Sequence, residues 1–129
     1  MTLGAKSRDA LGVVVAGRCR DLSEHREADF PVFARGQSIL GQKPFTRPSA
    51  VDVPLTISSG DASGWPEVEV NPGDWIVADQ DGVVCVPKEM LTRVCEIADK
   101  GRREDEKCRE DILAGKGVQA SLEKWRGKL

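Results

Sequence analysis

The chain has 129 residues, of which 40% are hydrophobic, 31% charged and 5% aromatic. This length and composition predict one globular domain with its own core, and no run reaches the roughly 18 apolar residues of a membrane span. With one His, a single chain cannot form the zinc and iron sites that need two or three imidazoles. Without Tyr, it has no phenolic acid or base. A metal would be held by carboxylates and water, which favours Mg²⁺ or Mn²⁺.

Lys and Arg number 19 and Asp and Glu number 21, which gives a net charge of −2. This balance argues against nucleic-acid binding, which normally concentrates positive charge on one face. The four cysteines form no CxxC pair, and the first residues do not have the pattern of a signal peptide. We therefore expect a cytoplasmic protein with reduced thiols that binds neither nucleic acid nor a membrane.

The first half of the chain is rich in strand signals. Short apolar runs that end at glycine predict buried strands over residues 11–17 and 30–36. The polar segment 23–28 between them predicts one or two helical turns. Residues 37–50 contain two prolines and a glycine, which predicts a loop able to fold over a neighbouring surface.

Four further strands are predicted from period-two alternation and short apolar runs, at residues 51–58, 68–70, 75–78 and 82–86. Turn sequences separate them, at residues 58–66, 71–74 and 79–82. Because tight turns link so many short strands, we expect no βαβ units in the β-rich part of the chain as a whole, residues 11–37 included.

The pattern changes from period two to period 3.6 after Pro87, which predicts a long helix. A glycine-containing break at residues 114–117 separates it from a short terminal helix within 118–129. The sequence therefore predicts a β-rich body, residues 1–86, and a C-terminal helical segment of the same domain, residues 87–129.

Three charged residues, Arg20, Asp21 and Glu24, form the strongest candidate site because they follow a predicted buried strand, where clefts of α/β folds lie. An arginine grips a carboxylate through two hydrogen bonds, and an aspartate with a glutamate three positions on can hold a hydrated cation. An ordinary surface ion pair explains the same residues equally well. His25 is predicted to be a surface histidine.

The strings GAKSRDALGVVVAGRCRDLSEHREADFPVFARG and VNPGDWIVADQDGVVCVP resemble the RraA-like proteins and 4-hydroxy-4-methyl-2-oxoglutarate aldolases. The similarity runs from near Met1 to Pro87, with a looser helical continuation to about Leu113. It implies a three-layer αββ sandwich of the swivelling, phosphohistidine-domain-like type, with a C-terminal helical tail. It also implies a homo-oligomer, either a trimer or a dimer of trimers.

This family includes metal-dependent class II pyruvate aldolases, oxaloacetate decarboxylases and the regulator of ribonuclease E activity. Its site motif is a glycine, a spacer and then Arg-Asp-x-x-Glu/Asp, of which the second half is similar to Arg20, Asp21 and Glu24. The resemblance implies that Arg20 contacts the carboxylate or keto oxygen of the substrate and is catalytic. It implies that Asp21 holds Mg²⁺ or Mn²⁺, with Glu24 in support.

Two features depart from the family pattern. The expected glycine falls before Met1, so the family's N-terminal part, which cradles the substrate carboxylate, is expected to be missing. Ala16 stands where relatives usually carry an aspartate. Without its N-terminal layer the sheet would expose apolar surface, which also favours association with another subunit.

Three functions remain open from the sequence. The first is a divalent-metal-dependent lyase that cleaves or decarboxylates a 2-oxo dicarboxylic acid. The second is a shortened scaffold repurposed as a metal-independent cyclase, isomerase or dehydratase of a small-molecule pathway. The third is a non-catalytic oligomeric regulator or binding protein.

Overall fold

The computed structural model describes residues 1–58 and 66–127, so most of the predicted turn at 58–66 lies outside the described residues. The elements, in chain order, are α1 (Thr2–Lys6), β1 (Val13–Cys19), α2 (Leu22–Glu27), β2 (Val32–Gln37), β3 (Leu55–Ile57), β4 (Val68–Val70), β5 (Trp75–Ala78), β6 (Val83–Val86), a 3-10 turn (Lys88–Met90), α3 (Leu91–Leu113) and α4 (Val118–Arg126). The protein is a mixed α/β protein. None of the helices in these two ranges combines the length and apolar character needed to span a membrane.

Strands β1 and β2 run parallel, with Val13 opposite Val32 at one end and Cys19 opposite Gln37 at the other. Helix α2 lies in the connection between them, so β1, α2 and β2 form a βαβ unit. The expectation that this part of the chain contains no βαβ units is therefore wrong. Parallel strands need a crossover of about a dozen residues, and segment 20–31 provides it. Helix α2 is too short and too polar to show an apolar stripe in the sequence.

Helix α2 ends in a local turn that leads directly into β2. The carbonyl of Glu24 accepts the N–H of Ala28 at 3.0 Å, and the carbonyl of His25 accepts the N–H of Phe30 at 3.1 Å. Asp29 between them has a left-handed backbone (φ 47°), a conformation that short polar side chains tolerate. The reversal delivers Phe30, which is buried, to the start of β2.

The remaining four strands form two further two-stranded sheets. Strand β3 pairs antiparallel with β4, and β5 pairs with β6 across a turn in which the N–H of Asp79 donates to the carbonyl of Gly82 at 3.0 Å. The observed β3 is shorter than the predicted strand over 51–58. Asp52 has a left-handed backbone (φ 56°) and Pro54 has no N–H, so extended pairing begins only at Leu55.

The chain divides into two compact units, Met1–Cys85 and Val86–Leu129. Among the described residues, the buried hydrophobic side chains are Phe30, Val86 and Cys108. Phe30 lies in the first unit and the other two lie in the second. Each unit therefore buries fewer apolar side chains than the length of the chain predicts, because most apolar strand residues remain accessible.

In the second unit, α3 and α4 form a helical hairpin held by a polar cluster. The carboxylate of Asp111, on a residue that is 8% exposed, accepts hydrogen bonds from Lys116 at 2.7 Å, Lys124 at 2.8 Å and the indole N–H of Trp125 at 2.9 Å. The ammonium groups of Lys107 and Lys124 lie 4.7 and 4.2 Å from the centre of the Trp125 ring. These contacts join the two helices through one carboxylate and one aromatic ring.

Candidate functional site

The candidate site lies at the carboxyl edge of the parallel pair. Cys19 ends β1 opposite Gln37, which ends β2, so the residues that follow both strands emerge side by side. The N–H of Ser38 donates to the carbonyl of Cys19 at 2.8 Å, which continues the pairing one step beyond the strand. In open α/β sheets ligands bind at this edge of the strands.

An irregularity in β1 precedes the site. Val15 lies opposite Ala34 and Arg18 lies opposite Gly36, so β1 carries one more residue than β2 between these two pairs. An extra residue of this kind re-aims the side chains that follow it. The positions of Arg18 and Arg20 relative to the sheet therefore depend on this irregularity, where Ala16 and Gly17 stand opposite a single residue of β2.

Arg20 and Asp21 form an ion pair at the first residues after β1. The Nε of Arg20 lies 3.2 Å from Oδ2 of Asp21, and each side chain is 50% exposed. A Cβ atom added at Gly41 would lie 3.7 Å from the central carbon of the Arg20 guanidinium and 3.8 Å from both of its Nη atoms. The guanidinium thus rests against the backbone of Gly41 while its Nε edge faces the carboxylate.

The backbone at Asp21 is left-handed (φ 62°, ψ 40°) and immediately precedes α2. Its carbonyl accepts the N–H of His25 at 3.2 Å, which is the first hydrogen bond of the helix. Its carboxylate forms no capping hydrogen bond to the helix. The side chain is therefore directed to Arg20 rather than to the helix backbone.

Glu24 lies one helical turn after Asp21 and is exposed. Within residues 1–58 and 66–127, it forms no side-chain hydrogen bond or ion pair, and no group of three or more His, Cys, Asp and Glu side chains is positioned to hold a metal. Asp21 and Glu24 nevertheless offer hard carboxylate oxygens, and a bound Mg²⁺ commonly keeps several waters beside one or two such ligands. The donor set fits a hydrated Mg²⁺ or Mn²⁺.

His25 is half-buried, which differs from the surface histidine that the sequence predicts. A hydrogen bond of 2.6 Å joins its Nδ1 to the Oγ1 of Thr2, a residue that is buried on α1. The ammonium of Lys6, also on α1, donates to the carbonyl of Ala28 at 2.5 Å. His25 thus holds α1 against α2, and this contact does not involve Arg20 or Asp21.

Three further aspartates, Asp74, Asp79 and Asp81, lie in the turns that the sequence predicts at residues 71–74 and 79–82. Asp74 accepts the backbone N–H of Asn71 at 2.7 Å, and Asp79 accepts the backbone N–H of Asp81 at 2.8 Å. Cys85 contacts Asp74, with the sulfur 3.8 Å from Oδ2. Burial and then the negative charge of Asp74 raise the pKa of the Cys85 thiol, so it is protonated at neutral pH and is a poor nucleophile.

Arg18 lies beside the candidate site, although the sequence did not indicate it as a site residue. Its guanidinium donates to the carbonyl of Gln37 at 3.2 Å, and with residues 37–40 it lines an open depression. The only signal in the sequence was its position two residues before Arg20. The predicted loop at 37–50 does begin by folding over a surface, because residues 37–41 lie against both arginines.

Comparison with known proteins assigns the family. The RraA-like family (Aldolase/RraA) matches residues 1–85. The chain therefore belongs to the RraA-like family. The matched residues include the βαβ unit, which carries Arg20 and Asp21 at the carboxyl edge of its strands.

Two curated relatives cover nearly all of the chain. The "Putative 4-hydroxy-4-methyl-2-oxoglutarate aldolase" of Halalkalibacterium halodurans is 34% identical over 122 residues, which cover 93% of this chain and 53% of that protein. An uncharacterized protein of Methanocaldococcus jannaschii is 33% identical over 121 residues, which cover 94% of this chain and 54% of that protein. The chain spans about half the length of these relatives.

A solved structure is similar to this chain over nearly its whole length. An uncharacterized protein from Pseudomonas syringae pv. tomato strain DC3000 superposes with a TM-score of 0.81 at 28% identity, over 94% of this chain and 56% of that one. The likeness supports a mixed α/β fold that is shared with a longer protein.

Proposed function

We propose that this protein is a carbon–carbon lyase that acts on a 2-oxo dicarboxylic acid, by decarboxylation or by retro-aldol cleavage. The observation that carries the proposal is the Arg20 guanidinium at the carboxyl edge of β1, held along its Nε side by Asp21 and resting on Gly41. Membership of the Aldolase/RraA family and the similarity to the "Putative 4-hydroxy-4-methyl-2-oxoglutarate aldolase" of Halalkalibacterium halodurans support the same reaction class.

Decarboxylation of a 2-oxo acid that carries a second carboxylate at C4 needs few protein groups. The C3–C4 bond breaks, carbon dioxide leaves, and the bonding electrons pass into the enolate of pyruvate. A proton from solvent then adds to C3. The step requires stabilisation of negative charge on the former keto oxygen, and it requires no histidine or tyrosine base. Retro-aldol cleavage of a 4-hydroxy-2-oxo acid produces the same enolate but also requires removal of the hydroxyl proton.

Arg20 supplies the charge stabilisation in this proposal. Its Nη atoms would donate to the 2-oxo acid at the keto oxygen or the adjacent carboxylate, where the negative charge grows as the carbon–carbon bond breaks. Asp21 acts on the same guanidinium, because its contact with Nε fixes the plane of the group before substrate binds. Gly41 lies beside the same guanidinium, at a distance where an added Cβ would be in ordinary van der Waals contact with it.

A divalent ion is part of the proposal. Asp21 and Glu24 would hold Mg²⁺ or Mn²⁺ largely through water, and the bound ion would supply Lewis-acid polarisation of the substrate. Arg20 would thus be the catalytic and substrate-binding residue, and Asp21 and Glu24 would be the metal ligands.

We also propose that the chain works as a homo-oligomer, a trimer or hexamer, with the αββ sandwich of its family. Trp75, Ile76 and Val77 of β5 are each more than two-fifths exposed. Successive strand residues point to opposite faces, so both faces of this strand are accessible to a neighbouring subunit. Sedimentation velocity tests this arrangement, and a well-folded monomer at micromolar concentration would contradict it.

The reaction is tested with purified full-length protein and oxaloacetate, by following the release of pyruvate with lactate dehydrogenase. Divalent ions alone decarboxylate oxaloacetate, so each rate is compared with buffer that contains the same ion without protein. We expect turnover with Mg²⁺ or Mn²⁺ and loss of that turnover on chelation. A 4-hydroxy-2-oxo acid is tested in parallel. If neither compound is split, the proposal fails.

Substitution of Asp21 distinguishes the proposed metal-dependent lyase from a metal-independent enzyme on the same scaffold. We expect Asp21→Asn to lower kcat/KM by about a hundredfold or more, since it removes the proposed ion ligand. Full activity of this variant would favour a metal-independent enzyme on the same scaffold. A stable complex with another protein that survives loss of both Arg20 and Asp21 would favour the non-catalytic regulator.

A further inference from the structure

A second guanidinium lies at the same edge as Arg20. Arg18 donates to the carbonyl of Gln37 and lines the depression formed by residues 37–40, whereas Arg20 rests on Gly41, the next residue along that segment. The two arginines are two positions apart in an extended chain, which places their Cα atoms about 7 Å apart on one side. One short backbone segment thus lies against both cations.

Each guanidinium keeps donors available for an anion. In Arg18, a single Nη atom contacts Gln37, and the carbonyl of that residue is its hydrogen-bond partner among the described residues. In Arg20, the Nε edge faces Asp21, and both Nη atoms lie over Gly41. Asp21 neutralises Arg20 on one edge only, while Arg18 has no carboxylate partner within residues 1–58 and 66–127.

The wall beside the arginines is apolar. Ile39 is 92% exposed and Leu40 is 61% exposed, and both line the depression that Arg18 borders. Two cations at one edge with apolar side chains beside them match a short aliphatic chain with a carboxylate at each end. A monocarboxylate satisfies only one of the two guanidinium groups.

We infer that Arg18 is a specificity-determining residue that binds the distal carboxylate of a four-carbon dicarboxylate whose other end is bound by Arg20. This inference rests on the proposed function and adds the group that selects a dicarboxylic over a monocarboxylic substrate. Arg18 takes no part in breaking the carbon–carbon bond, because it acts at the far end of the ligand.

The test compares succinate with butyrate, two unreactive four-carbon ligands that differ by one carboxylate. Binding is measured by titration calorimetry at fixed physiological ionic strength, with the full chain and the variants Arg18→Ala, Arg18→Gln and Arg26→Ala. Arg26 is an exposed arginine of α2 and serves as the matched control. Circular dichroism checks that each variant is folded, and the glutamine variant keeps a polar side chain at position 18 while it removes the positive charge.

We expect the unmodified protein to bind succinate at least about tenfold more tightly than butyrate. Both Arg18 variants should lose that preference without a change in butyrate affinity, and Arg26→Ala should bind both ligands normally. The inference is overturned if succinate binds no better than butyrate, if the Arg18 variants keep the preference, or if they weaken both ligands equally. Arg18-dependent succinate binding without oxaloacetate turnover would leave this inference standing and overturn the proposed reaction.

Discussion

The Nε of Arg20 lies 3.2 Å from Oδ2 of Asp21, although the two residues are neighbours in the chain. Consecutive residues of a regular strand direct their side chains to opposite faces, so neighbours cannot normally pair. The left-handed backbone of Asp21 (φ 62°) turns its side chain back toward Arg20. The ion pair therefore depends on backbone strain at one residue.

That strain predicts the behaviour of substitutions at position 21. Asn tolerates the left-handed region, so Asp21→Asn should leave the free energy of unfolding within about 0.5 kcal/mol of the unmodified protein. A β-branched residue is strongly disfavoured there, and Asp21→Val should cost about 1–2 kcal/mol. Urea unfolding followed by circular dichroism gives both values. Equal stability of the two variants would show that the residue does not hold this backbone in solution.

A close approach between Gly12 and Pro31 predicts a second destabilising change. A Cβ at Gly12 would lie 3.0 Å from the carbonyl oxygen of Pro31 and 3.3 Å from its Cβ, just where the N–H of Val13 donates to that carbonyl. Gly12→Ala should therefore separate β1 from β2 and cost about 1–3 kcal/mol.

Gly4 provides the control for this change, because an added Cβ would meet nothing within 4 Å and the residue lies in α1. Gly4→Ala should leave stability unchanged or raise it slightly. Thermal and urea unfolding of the two alanine variants make the comparison. Similar midpoints for both would contradict the close packing of the parallel pair.

The Asp111 cluster predicts sensitivity of the helical hairpin to acid. Hydrogen bonds from Lys116, Lys124 and Trp125, in that order, hold the pKa of this carboxyl well below its ordinary value of 3.8. Because the folded pKa is lowered, the contribution of the carboxylate is complete above the ordinary pKa and is lost as the pH falls toward the folded pKa. The loss should therefore occur below about pH 4.

Asp111→Asn is the variant that tests this window. At pH 7 it should lower the melting temperature by several degrees, since the two ammonium groups lose their anionic partner. The difference from the unmodified protein should shrink as the pH falls below 4. Asp99→Asn serves as the control, because Asp99 is exposed on the same helix and lies 3.6 Å from Arg102. A difference that stays constant with pH would contradict the lowered pKa.

Local patterns predicted the second half of the chain well. The strand over 75–78 and the long helix after Pro87 are confirmed. Both could be predicted because alternation and helical periodicity depend only on residues close together in the chain. The turn at 71–74 is confirmed as well, with Gly73 at φ 92° and a hydrogen bond of 3.0 Å from the N–H of Asp74 to the carbonyl of Asn71. Such turns depend on a few adjacent residues.

Features that depend on pairing between distant segments could not be predicted in the same way. The parallel register of β1 and β2 joins residues on either side of α2, and a polar helix of six residues carries no periodic signal. The extra residue between Val15 and Arg18 is visible only once both strands are aligned. For this reason the sequence indicated Arg20, Asp21 and Glu24 as candidates and a loop at 37–50 able to cover a surface, but it did not indicate that this surface includes Arg18 and Arg20.

In the proposed function, the Arg20 guanidinium performs the chemistry of a 2-oxo acid lyase. The most direct measurement is kcat/KM for oxaloacetate decarboxylation in saturating Mg²⁺, after subtraction of the rate with the ion alone, for the unmodified protein, Arg20→Ala and Arg26→Ala. We predict a loss of about a hundredfold or more for Arg20→Ala and an unchanged value for Arg26→Ala. Activity of Arg20→Ala equal to that of the unmodified protein would contradict a catalytic role for Arg20.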